Sequence, residues 1–217
     1  EERGFALGLK AVALCAYSVR NTGEGLRLTK EALPLVGDNQ ELRVRIAMDG
    51  LRFSTYVSDS ESNKMFCAVI KTVMTNPSPE AAPWMGRCLL VLGQHYDETG
   101  NYRAAATYYD EGRRWHLTNQ GPYVKERGDS DRLCCLGVAT ACQVELRLLH
   151  GESCGPQVSV AKAVAMMRSG KRPYLADYLL GIEHRNAKDY GKSLASYEQA
   201  AKGASDANDR TCQLKIA

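Results

Sequence analysis

A chain of 217 residues, 44% hydrophobic and 24% charged, has the size and balance of an ordinary globular protein with a substantial core. Its net charge of +3 is too small to argue for nucleic acid or an anionic membrane. No apolar run approaches the roughly 18 residues of a membrane span. "FALGLKAVAL" near the start carries a lysine and no cleavage site, so it does not read as a signal peptide. The chain opens at Glu1 and stops at "RTCQLKIA", which reads as a helix cut short. The expectation is one helical-repeat domain, 1–217, excised from a longer protein. Of the eight cysteines, Cys15, Cys67, Cys88, Cys134, Cys135, Cys142 and Cys212 fall in helical patterns, where cysteine behaves as a small core hydrophobe. Reduced thiols in a cytoplasmic or nuclear compartment are expected.

Helix pairs are predicted along the chain. "ALCAYSVRNTGEGLRLTKEALPLVGD" reads as helix, turn at Thr22–Gly25, helix. "ELRVRIAMDGLRFSTYVSDSESNKMFCAVIKTVMTNP" repeats this around Ser58–Ser62, ending at Pro77. In the next stretch Trp84, Cys88, Leu92 and Tyr96 recur every four residues, one apolar stripe on a helix. The stripe breaks at "DETGN", where Gly100 can adopt the left-handed conformation that ends a helix. A second stripe follows through Tyr102, Ala105, Tyr109 and Gly112. The small residues Gly93 and Ala105 are expected to let the two helices approach, with Tyr96, Tyr102 and Tyr109 around the contact. The polar stretch Asn119 to Asp131 reads as a connector. "DSDRLCCLGVATACQVELRLLHGESCGPQVSVAKAVAMMRSG" is a longer helix, a turn at Gly151–Pro156 and a shorter helix. A last pair spans "YLLGIEHRNAKDYGKSLASYEQAAKG". Glycines at 8, 50, 93, 137 and 181 stand 42 to 44 apart, but the turns ignore that period, so part of the recurrence reads as coincidence. No strand-like alternation occurs. The fold class expected is all-α, about five antiparallel hairpins of unequal length.

Over 84–117 the residues Leu89, Leu92, Gly93, Tyr96, Gly100, Tyr102, Ala105 and Tyr109 fall in the order of a tetratricopeptide repeat, which this segment resembles. Gly112 stands where alanine is usual, and Leu117 replaces the closing proline. A weaker copy over 174–203 places Leu180, Gly181, Tyr190, Ser193, Tyr197 and Ala200 at the same points, with His184 for the first aromatic and Lys188 for the turn glycine. The resemblance implies a right-handed superhelix whose first helices line a concave groove. It also implies groove residues: Arg87, Leu90, Gln94, Asp97 and Glu98 in one repeat, Leu175, Tyr178, Ile182, Arg185 and Asn186 in the other. Gln94 and Ile182 stand where a carboxylate-clamp repeat has asparagine, so the resemblance does not extend to that clamp.

Other motifs read more simply as structure. "GESCG" formally matches a nucleophile elbow, but that chemistry needs a strand before it, and "ATACQVELRLLH" reads as helix. Cys135, Cys142, His150 and Cys154 lack a paired knuckle for metal. His95, His116, His150 and His184 have no partners from which to assemble a triad. "SGKRP" has no upstream glycine or strand and reads as a basic loop rather than a P-loop. "EGRRWH" reads as a helix end whose cations offset the dipole, with Trp115 packed on the next repeat. No enzyme, cofactor or metal site is expected. The function expected is a scaffold that binds a protein or peptide, as part of a larger complex, without membrane or direct nucleic-acid binding. The alternative is the sensor domain of a peptide- or ligand-responsive transcription regulator.

Overall fold

The computed structural model describes residues 2–4, 6–7, 21–119, 129–169 and 172–207. The first expected helix with Cys15, most of the polar connector, Lys171 of "SGKRP" and the terminal "RTCQLKIA" lie outside the described residues. Among the described residues the fold is all-helical, without strands. It divides into two compact units, Glu1–Asn101 and Tyr102–Ala217.

The first unit contains α1 (Thr22–Leu35), α2 (Gln40–Tyr56), α3 (Ser60–Thr75) and α4 (Met85–Glu98), the last entered through a 3-10 turn, Ala82–Trp84. The turn expected at Thr22–Gly25 does not exist, because those residues open α1. Thr22 and Glu24 suit a first helical turn, and Gly23 and Gly25 alone cost too little to break a helix that continues into Leu26 and Leu28. Helix α2 packs against α1, α3 and α4, so Val44, Leu51, Phe66 and Ile70 are fully buried.

The second unit contains α5 (Tyr102–Thr118), α6 (Asp129–His150), α7 (Val160–Arg168), α8 (Tyr174–Asn186) and α9 (Tyr190–Asp206). Helix α6 packs against α5, α7 and α8, and α8 against α9. The stretch Arg132–His150 is long and apolar enough to cross a membrane by length and composition, contrary to the sequence reading. More than half of it is buried within the protein, and its buried face carries Arg132 and Glu145 alongside Leu136, Val144 and Leu146. Its apolarity therefore serves the core.

One turn design ends α2, α4 and α8. Ser58, Gly100 and Lys188 take positive φ of 59°, 79° and 62°. Each donates its N–H three residues back, to Thr55, Asp97 and Arg185, at 3.0 Å. The following N–H of Asp59, Asn101 and Asp189 reaches five residues back, to Ser54, Tyr96 and His184, at 2.8 to 2.9 Å. This pattern satisfies carbonyls that the helix end would orphan. Asp59 and Asp189 then cap the next helix, accepting from the N–H of Ser62 and Lys192.

Three of the five recurring glycines, Gly50, Gly137 and Gly181, have a common packing role. Gly50 on α2 faces the ring of Phe66 on α3 so closely that an added Cβ would overlap it. Gly137 on α6 meets the terminal methyl of Met167 on α7 in the same way. A Cβ at Gly181 on α8 would stand 2.6 Å from the ring of Tyr197 on α9. In each case the first helix of a hairpin offers a notch, and a large side chain of the second helix fills it. The α8–α9 pair is reciprocal, since a Cβ at Gly203 would stand 2.6 Å from Tyr174 Cβ. Ser193 Oγ also donates to the Gly181 carbonyl at 2.9 Å. Gly8 lies outside the described residues. Gly93 belongs to α4 in the first unit, and Ala105 to α5 in the second; both are buried.

Candidate functional site

A charged recess is built where α2 and α4 of the first unit pack together. Pro83 lies within the 3-10 turn and Trp84 ends it, directly before α4. Trp84 is buried, and two cations stack against its ring, Arg45 Cζ 4.7 Å and Arg87 Cζ 5.8 Å from the centroid. The ring's negative face fixes guanidinium positions that would otherwise be mobile. On α2, Glu41, Arg45, Asp49 and Arg52 recur at spacings of four, four and three, which puts them on one helix face. Arg45 Nη1 donates to Glu41 Oε1 at 3.1 Å. Arg52 Nη1 stays 3.6 Å from Asp49 Oδ1, too far for a hydrogen bond. Arg87 makes neither hydrogen bond nor ion pair with the described residues. The side chains of Arg45, Asp49 and Arg52 keep 31%, 30% and 40% exposure. Desolvation pushes the Asp49 carboxyl above its ordinary pKa, and Arg52, Arg87 and Arg45 pull it back down. Asp49 thus lies in the field of three guanidiniums, one of which comes from α4.

Further along the same helices, Thr55 Oγ1 donates to the Leu51 carbonyl at 2.7 Å and lies 2.9 Å from His95 Nδ1. Lys71 Nζ donates to Tyr96 Oη at 2.9 Å. Burial first, and the Lys71 charge second, hold His95 below its usual pKa.

The residues expected to line a groove divide between exposed and packed. Arg87 belongs to the recess, and Gln94 and Asp97 are half-buried further along α4, with Glu98 exposed at its end. Leu90 is buried. In the second unit Tyr178 is buried and donates its hydroxyl to Glu145 Oε1 at 2.8 Å, while Ile182 is 1% exposed. Leu90, Tyr178 and Ile182 are therefore core side chains without free tips. Arg185 and Asn186 are exposed, and Asn186 Nδ2 donates to the Leu148 carbonyl at 3.1 Å. Arg45, Asp49 and Arg52 were not anticipated, although their spacing on one face of "RIAMDGLR" was a readable signal.

The other motifs take structural parts. "GESCG" follows helix α6, so no elbow forms; its loop is clasped instead. Gln143 Nε2 bridges Asp110 Oδ1 and the Cys154 carbonyl, both at 3.2 Å, and Arg147 Nη1 holds the Val158 carbonyl at 2.9 Å. Gly155 lies so tightly on the Asp110 carboxylate that no Cβ would fit. The cleft beside this loop holds about 20 Å³, room for a water rather than a substrate. Arg113 and Arg114 of "EGRRWH" pair with the buried Asp110 at 2.9 and 2.8 Å, so their charge goes to that carboxylate rather than to the helix end. Tyr102 stacks on His150 at 3.6 Å between ring centroids. Cys67 and Cys88 are reduced core thiols whose pKa burial pushes up to about 11 and about 12, which leaves them unreactive at neutral pH. Among the described residues no three potential metal ligands cluster. In comparison with known proteins, no family model, no curated protein and no solved structure matches this chain.

Proposed function

We propose that the chain is a tetratricopeptide-repeat-like scaffold, a right-handed superhelix of about five hairpins, that holds a protein or peptide partner on the first helices of its hairpins and catalyses nothing itself. The observation that carries this reading is the repeated hairpin: a glycine notch on the first helix, a left-handed turn, and a large filler on the second. Gly50 and Phe66, and Gly181 and Tyr197, are sixteen residues apart, and the same spacing separates Gly93 from Tyr109 in the sequence. The partly exposed, charged recess on α2 and α4 supplies a surface whose side chains are not consumed by the core. A reducing intracellular compartment fits the buried thiols.

The test is affinity capture from the protein's own cell extract, comparing the native chain with Arg87→Glu/Gln94→Arg and with Glu198→Lys on the exposed side of α9. Partners should be lost with the first variant and kept with the second, both retaining native circular dichroism. Identical partner sets for all three proteins would defeat the reading.

A further inference from the structure

We infer that the Arg45–Arg52–Arg87 recess is a docking site for an acidic protein segment, whose carboxylates the guanidiniums take up; this rests on the scaffold reading above and names the chemistry of its partner. Three guanidiniums there face two carboxylates, Glu41 and Asp49. Arg45 is engaged with Glu41, but Arg52 has no hydrogen bond to Asp49, and Arg87 has no hydrogen bond or ion pair with the described residues. A guanidinium carries five donors in a planar fork matched to a carboxylate. Those of Arg52 and Arg87 therefore remain largely unspent on the protein. The Trp84 ring holds Arg87 in place beforehand, so little side-chain entropy is lost when a ligand arrives. Partial burial also makes each charge count for more than it would on open surface.

The charge layout selects the kind of partner. The cations gather on α2 and the first turn of α4, and α4 ends in Asp97 and Glu98. An extended polyanion such as nucleic acid, or an anionic membrane, would have to lie over those carboxylates as well. Nucleic-acid binding draws its strength from many phosphate contacts along a basic track, which a three-arginine recess does not offer. A short acidic segment can occupy the basic end alone.

Trp84 supplies the reporter. The chain has two tryptophans, and Trp115 on α5 can be replaced by phenylalanine to leave one. In that background a glutamate-rich peptide, titrated at low salt, should change Trp84 fluorescence as its carboxylates settle against the guanidiniums stacked on the ring. Its glutamine counterpart should not. Arg87→Gln and, separately, the more exposed Arg52→Gln should each weaken binding about tenfold, the loss of one charge-assisted hydrogen bond. Equal binding of the two peptides, or unchanged affinity in both arginine variants with native circular dichroism, overturns the inference. So does tighter binding of single-stranded RNA or phosphatidylserine vesicles than of the acidic peptide. If capture partners depend on Arg87 and Gln94 while the acidic peptide fails to bind, the docking chemistry is wrong and the scaffold reading stands. If the peptide binds and capture is indifferent to these residues, the scaffold reading falls and the acidic site remains.

Discussion

Lys188 occupies a backbone conformation that costs an L-residue about 1–2 kcal/mol, at a turn where Gly100 pays almost nothing. Ser58 shares the penalty. Neither substitution prevents the turn, because both backbone hydrogen bonds and the following aspartate cap form as they do elsewhere. Lys188→Gly should therefore raise the unfolding free energy by about 1 kcal/mol, as measured by urea denaturation. A decrease would mean that the lysine side chain contributes more than its backbone costs. The same comparison explains why the α8–α9 hairpin was harder to read: its turn glycine is absent while its turn geometry is intact.

At the scale of helices, the notches decide how hairpins pack. Gly50→Ala would drive a methyl into the Phe66 ring, which α2, α3 and the surrounding core hold in place, at a cost of about 1–3 kcal/mol. Phe66→Leu made in the same protein should recover part of that loss, a coupling that a double-mutant cycle measures. Gly137→Ala meets only the flexible end of Met167 and should cost less than Gly50→Ala in the same assay. The hairpins of α2–α3, α6–α7 and α8–α9 were legible from apolar periodicity and from turn residues, because both act within some forty residues of chain. The notches were visible as a glycine spacing, but their meaning depends on which side chain of the next helix arrives there. The candidate site was less legible. Arg87 was named, but its neighbours Arg45, Asp49 and Arg52 come from a helix separated from α4 by the whole of α3. Leu90, Tyr178 and Ile182 were expected to be exposed by analogy of position, and local packing buried them.

For the whole chain, pH acts through a few groups of opposite sign. His95 is kept neutral in the folded state, so the unfolded chain binds its proton more readily. Its contribution is complete above about pH 6.5 and is lost as the pH falls below that. The caps Asp59 and Asp189 have depressed values, through hydrogen bonds from Ser62 in the first and Lys192 in the second. Their contribution is present above the ordinary value of 3.8 and disappears as the pH falls through the depressed ones. Asp49 opposes them, because its raised pKa means that protonation relieves a desolvated charge in the folded state. Urea midpoints recorded from pH 8 downward should fall first near about 6.5 and then steeply in the carboxylate range. His95→Gln should remove the first drop and leave the second; a first drop that survives in the variant would assign it to another group.

Sixteen residues separate notch from filler in the pairs Gly50–Phe66 and Gly181–Tyr197, but thirty separate Gly137 from Met167, since α6 is longer and the clasped loop intervenes. The lock does not depend on the count between its halves. Such an architecture can absorb insertions at a hairpin tip during evolution while the interlocking partners stay matched, and its ancestry then persists in steric complementarity after any fixed-length signature has eroded.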